Sequence, residues 1–298
     1  MMLYIHIPFC DSKCHYCSFN SYVMSNQHKK NYMKSLLVQL KHETAKNNIK
    51  RYESIFIGGG TPSVVESNLY EDIFKYLSKF IDKDVEITIE ANPTATKKWM
   101  KSIYKLGANR ISFGVQSFDE KKLIFLGRNH NTNKAIDAIQ DAYDVGFRKI
   151  NCDIIYDTVL DNKILLENDI NTIFDLPITH ISAYSLTIDK NTNFYKQPKK
   201  QKTDIKLTKY IFDKLSKNGF IQYEISNFAK DISNISKHNL GYWQFKPYIA
   251  VGAGAVGCIN NQRVYMQKDV VKYIQNPILY KDIEVLSAKS QTSFQVLF

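Results

Sequence analysis

Six short runs rich in β-branched and aromatic residues recur in the first 190 positions, at 3–7, 54–57, 85–90, 110–115, 149–156 and 180–186. Amphipathic segments lie between them. At 27–46, Tyr32, Leu36, Leu37 and Leu40 fall on one face, and at 134–145 Ile136, Ile139 and Tyr143 do the same. Short apolar runs read as strands buried on both sides, whereas a 3.6-residue apolar period reads as a helix packed along one stripe. Repetition of strand and helix dictates parallel strands joined by right-handed crossovers, because only that hand lets the helix pack back on a twisted sheet. The fold class is therefore α/β, as an open doubly wound sheet or a barrel.

A shift in composition follows. Residues 189–203 contain five lysines and few apolar side chains, and read as a linker or exposed loop. We place the boundary there, with a core at 1–190 and an α+β extension at 191–298. The extension starts with a helix near 204–218 and is rich in aromatics, among them Phe220, Tyr223, Phe228, Tyr242, Trp243, Phe245 and Tyr248. The longest apolar stretch, 248–259, is broken by glycines and is shorter than the roughly 18–20 residues a membrane span needs. The chain enters its first strand without a basic segment and apolar signal core, so a cytoplasmic protein is expected. Forty Lys+Arg against 29 Asp+Glu give a net charge of +11, but the lysines are dispersed except over 196–217. Such a balance favours solubility and attraction to anionic membrane surfaces, and does not by itself specify a nucleic acid.

Three of the five cysteines fall within eight positions, as Cys10-x3-Cys14-x2-Cys17, just after the first expected strand. So few cysteines make no disulfide scaffold, and their clustering points to metal. Structural zinc wants four protein ligands, usually in two pairs; no second pair exists, although His15 or His28 could complete a set. Cys152 and Cys258 stand alone. A [4Fe–4S] cluster on three cysteines instead leaves one iron open to a substrate. Gly58-Gly59-Gly60-Thr61-Pro62 follows the second strand, where glycines let backbone groups approach a ligand closely.

The segment Tyr4-Ile5-His6-Ile7-Pro8-Phe9-Cys10, with Cys14-His15-Tyr16-Cys17, resembles the CxxxCxxC signature of the radical S-adenosylmethionine (SAM) superfamily. The resemblance is to the branch of oxygen-independent coproporphyrinogen III dehydrogenases and their haem-chaperone relatives. It implies a partial (β/α)6 barrel. It also implies that Cys10, Cys14 and Cys17 hold a [4Fe–4S] cluster whose open iron binds SAM, which an electron cleaves to a 5′-deoxyadenosyl radical. Carried over residue by residue, Tyr16, Gly59, Gly60 and Thr61 would border SAM. Glu90 would pair with its amino group, Arg128 with its carboxylate, and Gln116 and Asp153 with its ribose hydroxyls. A cation suits a carboxylate, and an acid suits an ammonium or a diol.

Within that branch the dehydrogenases carry a fourth cysteine where this chain has Phe19, and an N-terminal extension ahead of the first strand. His238-Asn239-Leu240-Gly241-Tyr242-Trp243 resembles the HNxxYW motif of the chaperones. An imidazole can be an axial haem ligand, and Tyr242 and Trp243 offer flat apolar surface, although the same residues could be an aromatic pair packing beside a surface histidine. The resemblance implies a haem chaperone that binds haem and delivers it to acceptor haem proteins. The alternatives are coproporphyrinogen III oxidative decarboxylation and, on charge alone, radical modification of RNA. Two departures stand out: Val256 occupies a position where the family shows histidine, and relatives continue past residue 298 with a small C-terminal domain.

Overall fold

The computed structural model describes residues 1–286. Its first six strands are β1 (Met2–Ile7), β2 (Ser54–Gly59), β3 (Glu86–Ala91), β4 (Arg110–Gln116), β5 (Lys149–Tyr156) and β6 (His180–Ser185). They pair in that order and all in parallel. The crossovers hold α1 (Asn26–Lys46), α2 (Glu71–Leu77), α3 (Lys97–Leu106), α4 (Glu120–Leu126) with α5 (Thr132–Val145), and α6 (Lys163–Phe174). The expected strands are all present, with ends within two residues of the sequence reading. Ser25, Thr96, Asp119, Asn131 and Asn162 start α1, α3, α4, α5 and α6, each accepting a backbone N–H three residues on. Side chains of this kind satisfy donors that a helix's first turn leaves open.

Alternation along the strands sorts side chains to two faces. Ile55, Ile57, Ile87, Ile89, Ile111, Phe113, Ile150, Cys152 and Ile181 are buried in one core with residues of the crossover helices. Register aligns them across the sheet, as in Ile57 with Ile89, Ile89 with Ile111, and Phe113 with Cys152. The intervening positions hold His6, Gly58, Glu90, Ser112, Gly114, Asn151, Asp153 and Ser182, again in register: Glu90 with Ser112, Ser112 with Asn151, and Gly114 with Asp153 and Ser182. A parallel sheet covered by helices on both faces would be apolar throughout. Here one face is lined with polar groups.

The second part of the chain extends this same sheet. After α7 (Ile205–Lys217), β7 (Ile221–Gln222) and β8 (Asn227–Ala229) add antiparallel strands beside β6. A short helix, α8 (Lys237–Trp243), then leads to β9 (Tyr248–Val251), which pairs in parallel with the free side of β1. Strands β10 (Val256–Ile259), β11 (Gln262–Met266) and β12 (Tyr280–Val285), with α9 (Val270–Gln275), complete an open sheet in the order β12-β11-β10-β9-β1-β2-β3-β4-β5-β6-β8-β7. The sequence reading missed the seventh parallel strand because its apolar run is cut by glycines. Residues 189–203 hold two short 3-10 turns, with Phe194 buried and its N–H donated to the His15 carbonyl at 3.1 Å. The last part of the expected extension, 287–298, lies outside the described residues.

The turns after β4 and β5 are joined by a buried ionic cluster. Lys122 Nζ lies 2.6 Å from Asp161 Oδ1 and 3.7 Å from Asp169 Oδ2. Asp161 also accepts the Thr158 N–H, and Asp169 the Phe118 N–H. Removing one partner leaves buried charge uncompensated, which costs about 3–5 kcal/mol. We predict that Lys122→Met lowers the unfolding free energy by about that amount, read as a reduced urea midpoint.

Candidate cofactor site

The loop that follows β1 leaves and returns at one point: Cys10 donates its N–H to Tyr22 O at 3.0 Å, and Tyr22 donates to Pro8 O at 2.8 Å. Cys10, Cys14 and Cys17 project from this loop into a cavity of about 130 Å³. Its wall also contains Tyr16, Gly59, Gly60, Thr61, Glu90, Gln116, Arg128 and Asp153. Every residue expected to hold the cluster or SAM thus meets in one place, at the C-terminal ends of β1–β5. That edge is where parallel α/β folds bind ligands.

Each side chain has a local reason for its position. Gly59 takes φ +115°, and a Cβ there would run into the His6 ring; a Cβ on Gly58 would strike the Glu90 carboxyl. The Gly59 N–H instead donates to Glu90 Oε2 at 3.0 Å. Gln116 sits at φ +73°, where a register shift between Gly114 and Gln116 turns the end of β4. Arg128 Nη1 donates to Cys14 Sγ at 3.2 Å and to the Tyr16 hydroxyl at 3.4 Å, while Nη2 donates to the Gly114 carbonyl. Its Nε is buried without a partner. Cys10 Sγ lies 3.4 Å from Thr61 Oγ1.

Electrostatics mark the wall as made for a cation. Burial, reinforced by the charge of Asp153 and only partly offset by the Gly59 N–H, pushes Glu90 up to about 8. Burial also raises Asp153 to about 6, against hydrogen bonds from Ser182 and Asn151. Two carboxyl groups held towards their neutral forms gain most from a ligand that brings positive charge, as the ammonium and sulfonium of SAM would. Burial raises the Cys10 and Cys17 thiols as well, so a bound metal has to displace their protons. Among the described residues, no three His, Cys, Asp or Glu side chains gather round a single point as one metal ion requires. A cubane asks for a wall of thiolates, each on its own iron, and this donor set fits it. The histidines considered for zinc are engaged elsewhere: His15 Nδ1 with Phe125 O at 2.9 Å, and His28 Nδ1 with Ser25 Oγ at 2.9 Å.

The HNxxYW segment lies apart from this cavity. It forms α8, which covers the polar face of the sheet at the opposite, N-terminal end of the strands. His238 is fully buried, with Nδ1 2.9 Å from Ser54 Oγ and Nε2 2.9 Å from the Tyr242 hydroxyl. Its N–H donates to Glu86 Oε1 at 3.0 Å, and its ring lies 5.4 Å from that of Phe56. Burial lowers its pKa to about 3. Both ring nitrogens are therefore occupied, and this placement does not present the expected axial ligand to an iron. Tyr242 and Trp243 are half-buried, and Tyr242 packs edge-on against Tyr248 at 4.8 Å. Outside α8 a second cavity, of about 510 Å³, is lined by Met2, Ser54, Val85, Leu240 and several charged residues, and by none of the expected site residues.

Sequence reasoning passed over the supporting polar groups. Asn151 Nδ2 donates to Asp153 Oδ1 at 2.6 Å and to Ser112 Oγ at 2.7 Å, and Asn20 braces the cysteine loop. The first two carry a readable signal, since polar residues interrupt strands that should be apolar. Asn20 carries none.

Comparison with known proteins identifies the family. Residues 4–163 match the Radical SAM superfamily, which defines the chain as a radical SAM protein and implies SAM and a [4Fe–4S] cluster as its cofactors. The haem chaperone HemW of Bacillus subtilis is 32% identical over 97% of this chain and 80% of its own length. HemW of Haemophilus influenzae is 40% identical over 86% and 70%. The chain belongs to the HemW family. Among solved structures, the radical SAM enzyme coproporphyrinogen III oxidase (HemN) of Escherichia coli shares its fold, with a TM-score of 0.83 over 99% of this chain and 74% of its own at 20% identity.

Two measurements follow from the geometry. Between about pH 4.5 and 8 folded Glu90 keeps a proton that the unfolded chain has released, so its contribution to stability falls as pH rises through that window. The difference in unfolding free energy between wild type and Glu90→Gln should therefore decline by up to about 1.4 kcal/mol per pH unit between pH 6 and 8; a constant difference would contradict the raised pKa. His238→Ala strips Ser54 and Tyr242 of partners and empties a packed site. Its expected cost is about 3 kcal/mol in chemical denaturation, with a smaller loss for His238→Gln.

Proposed function

We propose that this chain binds haem and delivers it to haem proteins, on a core that holds a [4Fe–4S] cluster and SAM. The observation that carries the proposal is its similarity to HemW haem chaperones over most of its length. Phe19, standing where the dehydrogenases have a fourth cysteine, favours this reading over coproporphyrinogen decarboxylation. In the proposal residues 1–190 form the cofactor-binding core, residues 191–298 the extension, and the protein works in the cytoplasm.

A bound [4Fe–4S] cluster would supply one-electron chemistry at the SAM sulfonium. The chain's own residues hold and orient. Cys10, Cys14 and Cys17 ligate iron. Backbone groups of Gly59, Gly60 and Thr61, with the Glu90 carboxyl group, would receive the methionyl ammonium, and Arg128 would face the carboxylate. Gln116 and Asp153 hold the ribose hydroxyls, and Tyr16 closes the wall. The haem ligand stays unassigned, because His238 would have to leave Ser54 and Tyr242 to reach an iron.

Anaerobic reconstitution tests the cluster: wild type should take up about four irons per chain and Cys14→Ala close to none, while unchanged iron in the variant would remove Cys14 from the ligand set. Haem titration tests the cargo. A Soret band that saturates and survives in Cys17→Ala, followed by transfer of haem to an apo-haem protein, is the expected result. Conversion of coproporphyrinogen III to protoporphyrinogen in the presence of SAM would establish the dehydrogenase instead.

A further inference from the structure

The cysteine loop is tied down on two sides. On its leading arm, His15 donates its N–H to Leu126 O at 3.1 Å and Phe194 donates to His15 O at 3.1 Å. On the returning arm the ties converge on Asn20. Its Nδ2 donates to Ala253 O at 3.0 Å and to Lys268 O at 3.1 Å. Its Oδ1 accepts the Tyr22 hydroxyl at 3.1 Å, and its carbonyl meets His6 Nε2 at 3.1 Å. Asn20 thereby joins the loop, β1 and two turns of the extension more than 230 positions away.

The receiving side is built for this contact. Residues 252–255 turn at the C-terminal end of β9, with Gly252 at φ +110° and Gly254 at φ +87°. A Cβ on Gly254 would occupy the space of the Asn20 amide. The turn is itself held from beneath: Gly252 donates its N–H to Gln39 Oε1 at 2.7 Å and Ala253 to the Tyr32 hydroxyl at 2.9 Å, both side chains fully buried on α1. Gly254 donates to Gln267 O at 2.9 Å, tying the first turn to the second. An unbroken line of hydrogen bonds therefore runs from α1 through the glycine turn to Asn20. Cys17 lies three positions before Asn20, on a stretch where Phe19 is 66% exposed and contributes no core packing.

We infer that Asn20 is a positioning residue for the cluster, fixing the returning arm of the cysteine loop to the glycine turn after β9 so that Cys17 stays on the cavity wall. The inference rests on the radical SAM reading of the site. With three protein ligands, a cluster loses a third of its anchorage when one cysteine drifts, so loop rigidity governs how long iron is retained.

Asn20→Ala removes every side-chain tie, whereas Asn20→Asp keeps the acceptor for Tyr22 and loses the two donations. Gly254→Ala disturbs the same contact from the opposite side. In the metal-free proteins, the variants should keep the wild-type melting temperature within a few degrees. Amide exchange at Cys10, Cys17 and Tyr22 should rise at least fivefold. After anaerobic reconstitution all three should lose iron to air at least fivefold faster than wild type, while Tyr22→Phe, which spares both Asn20 donations, should stay within twofold. Wild-type exchange and wild-type iron loss in Asn20→Ala and Gly254→Ala would overturn the inference. Faster iron loss with an equal loss of global stability would overturn it too, by reducing Asn20 to general packing. A wild type that takes up no iron would fail the cluster reading itself, and the inference with it.

Discussion

The structure depends on β1 being paired on both sides. It is hydrogen-bonded in parallel to β2 and to β9, so the loop leaving its C-terminal end emerges in the middle of the sheet, not at a margin. A loop in that position is surrounded: the glycine run after β2 lies on one flank, the glycine turn after β9 on the other, and the end of α4 across the top. The cysteines of this loop are therefore held on the wall of a cavity that they share with carboxyl groups from β3 and β5. The extension belongs to the site as much as the core does, because its strand supplies one of those flanks.

The polar face of the sheet costs stability and is retained along its whole height. Glu90 and Asp153 lie near its open end; lower down, Arg110 Nη1 is 3.8 Å from Glu86 Oε2, and His180 is held between Asn151 and Tyr223. Burial opposes charge at Glu90, Asp153, Arg110 and His180. Near the floor the chain answers in part with its own partners, as in the bond from Arg110 Nη1 to Asn234 O at 2.9 Å. Hydrogen-bond partners are incomplete at both levels: Glu86 Oε2, Thr88 Oγ1 and Arg110 Nη2 lack one near the floor, and Arg128 Nε lacks one at the open end, where the cavity lies.

Much of this was legible in the sequence for a physical reason. Strand runs such as Ser54-Ile55-Phe56-Ile57 carry local, period-specific signals, and Cys10, Cys14 and Cys17 are close enough in sequence to act together whatever the rest of the chain does. Glu90, Arg128 and Asp153 were singled out by the resemblance to the radical SAM superfamily, and parallel strands account for their meeting, with Glu90 near the end of β3, Asp153 in the second half of β5 and Arg128 just after α4. His238 shows the limit. Its neighbours in sequence are aromatic and allow an exposed ligand as readily as a plug, and the deciding contacts, with Ser54 and Glu86, come from strands about 150 or more positions away. Strand β9 was hidden because glycines required by its following turn dilute the apolar run, and Asn20 because one asparagine in a loop has no period at all.

The plug has a consequence for traffic. With α8 seated under the strands and His238, Phe56 and Tyr242 packed ring against ring, the polar face is covered at its base, while beside the cysteine loop it opens into the cofactor cavity. A well floored in this way is not flushed from below. A group that enters past Phe19 and the cysteines displaces water towards that same mouth, and one seated deep in the cavity along this path departs after the one above it.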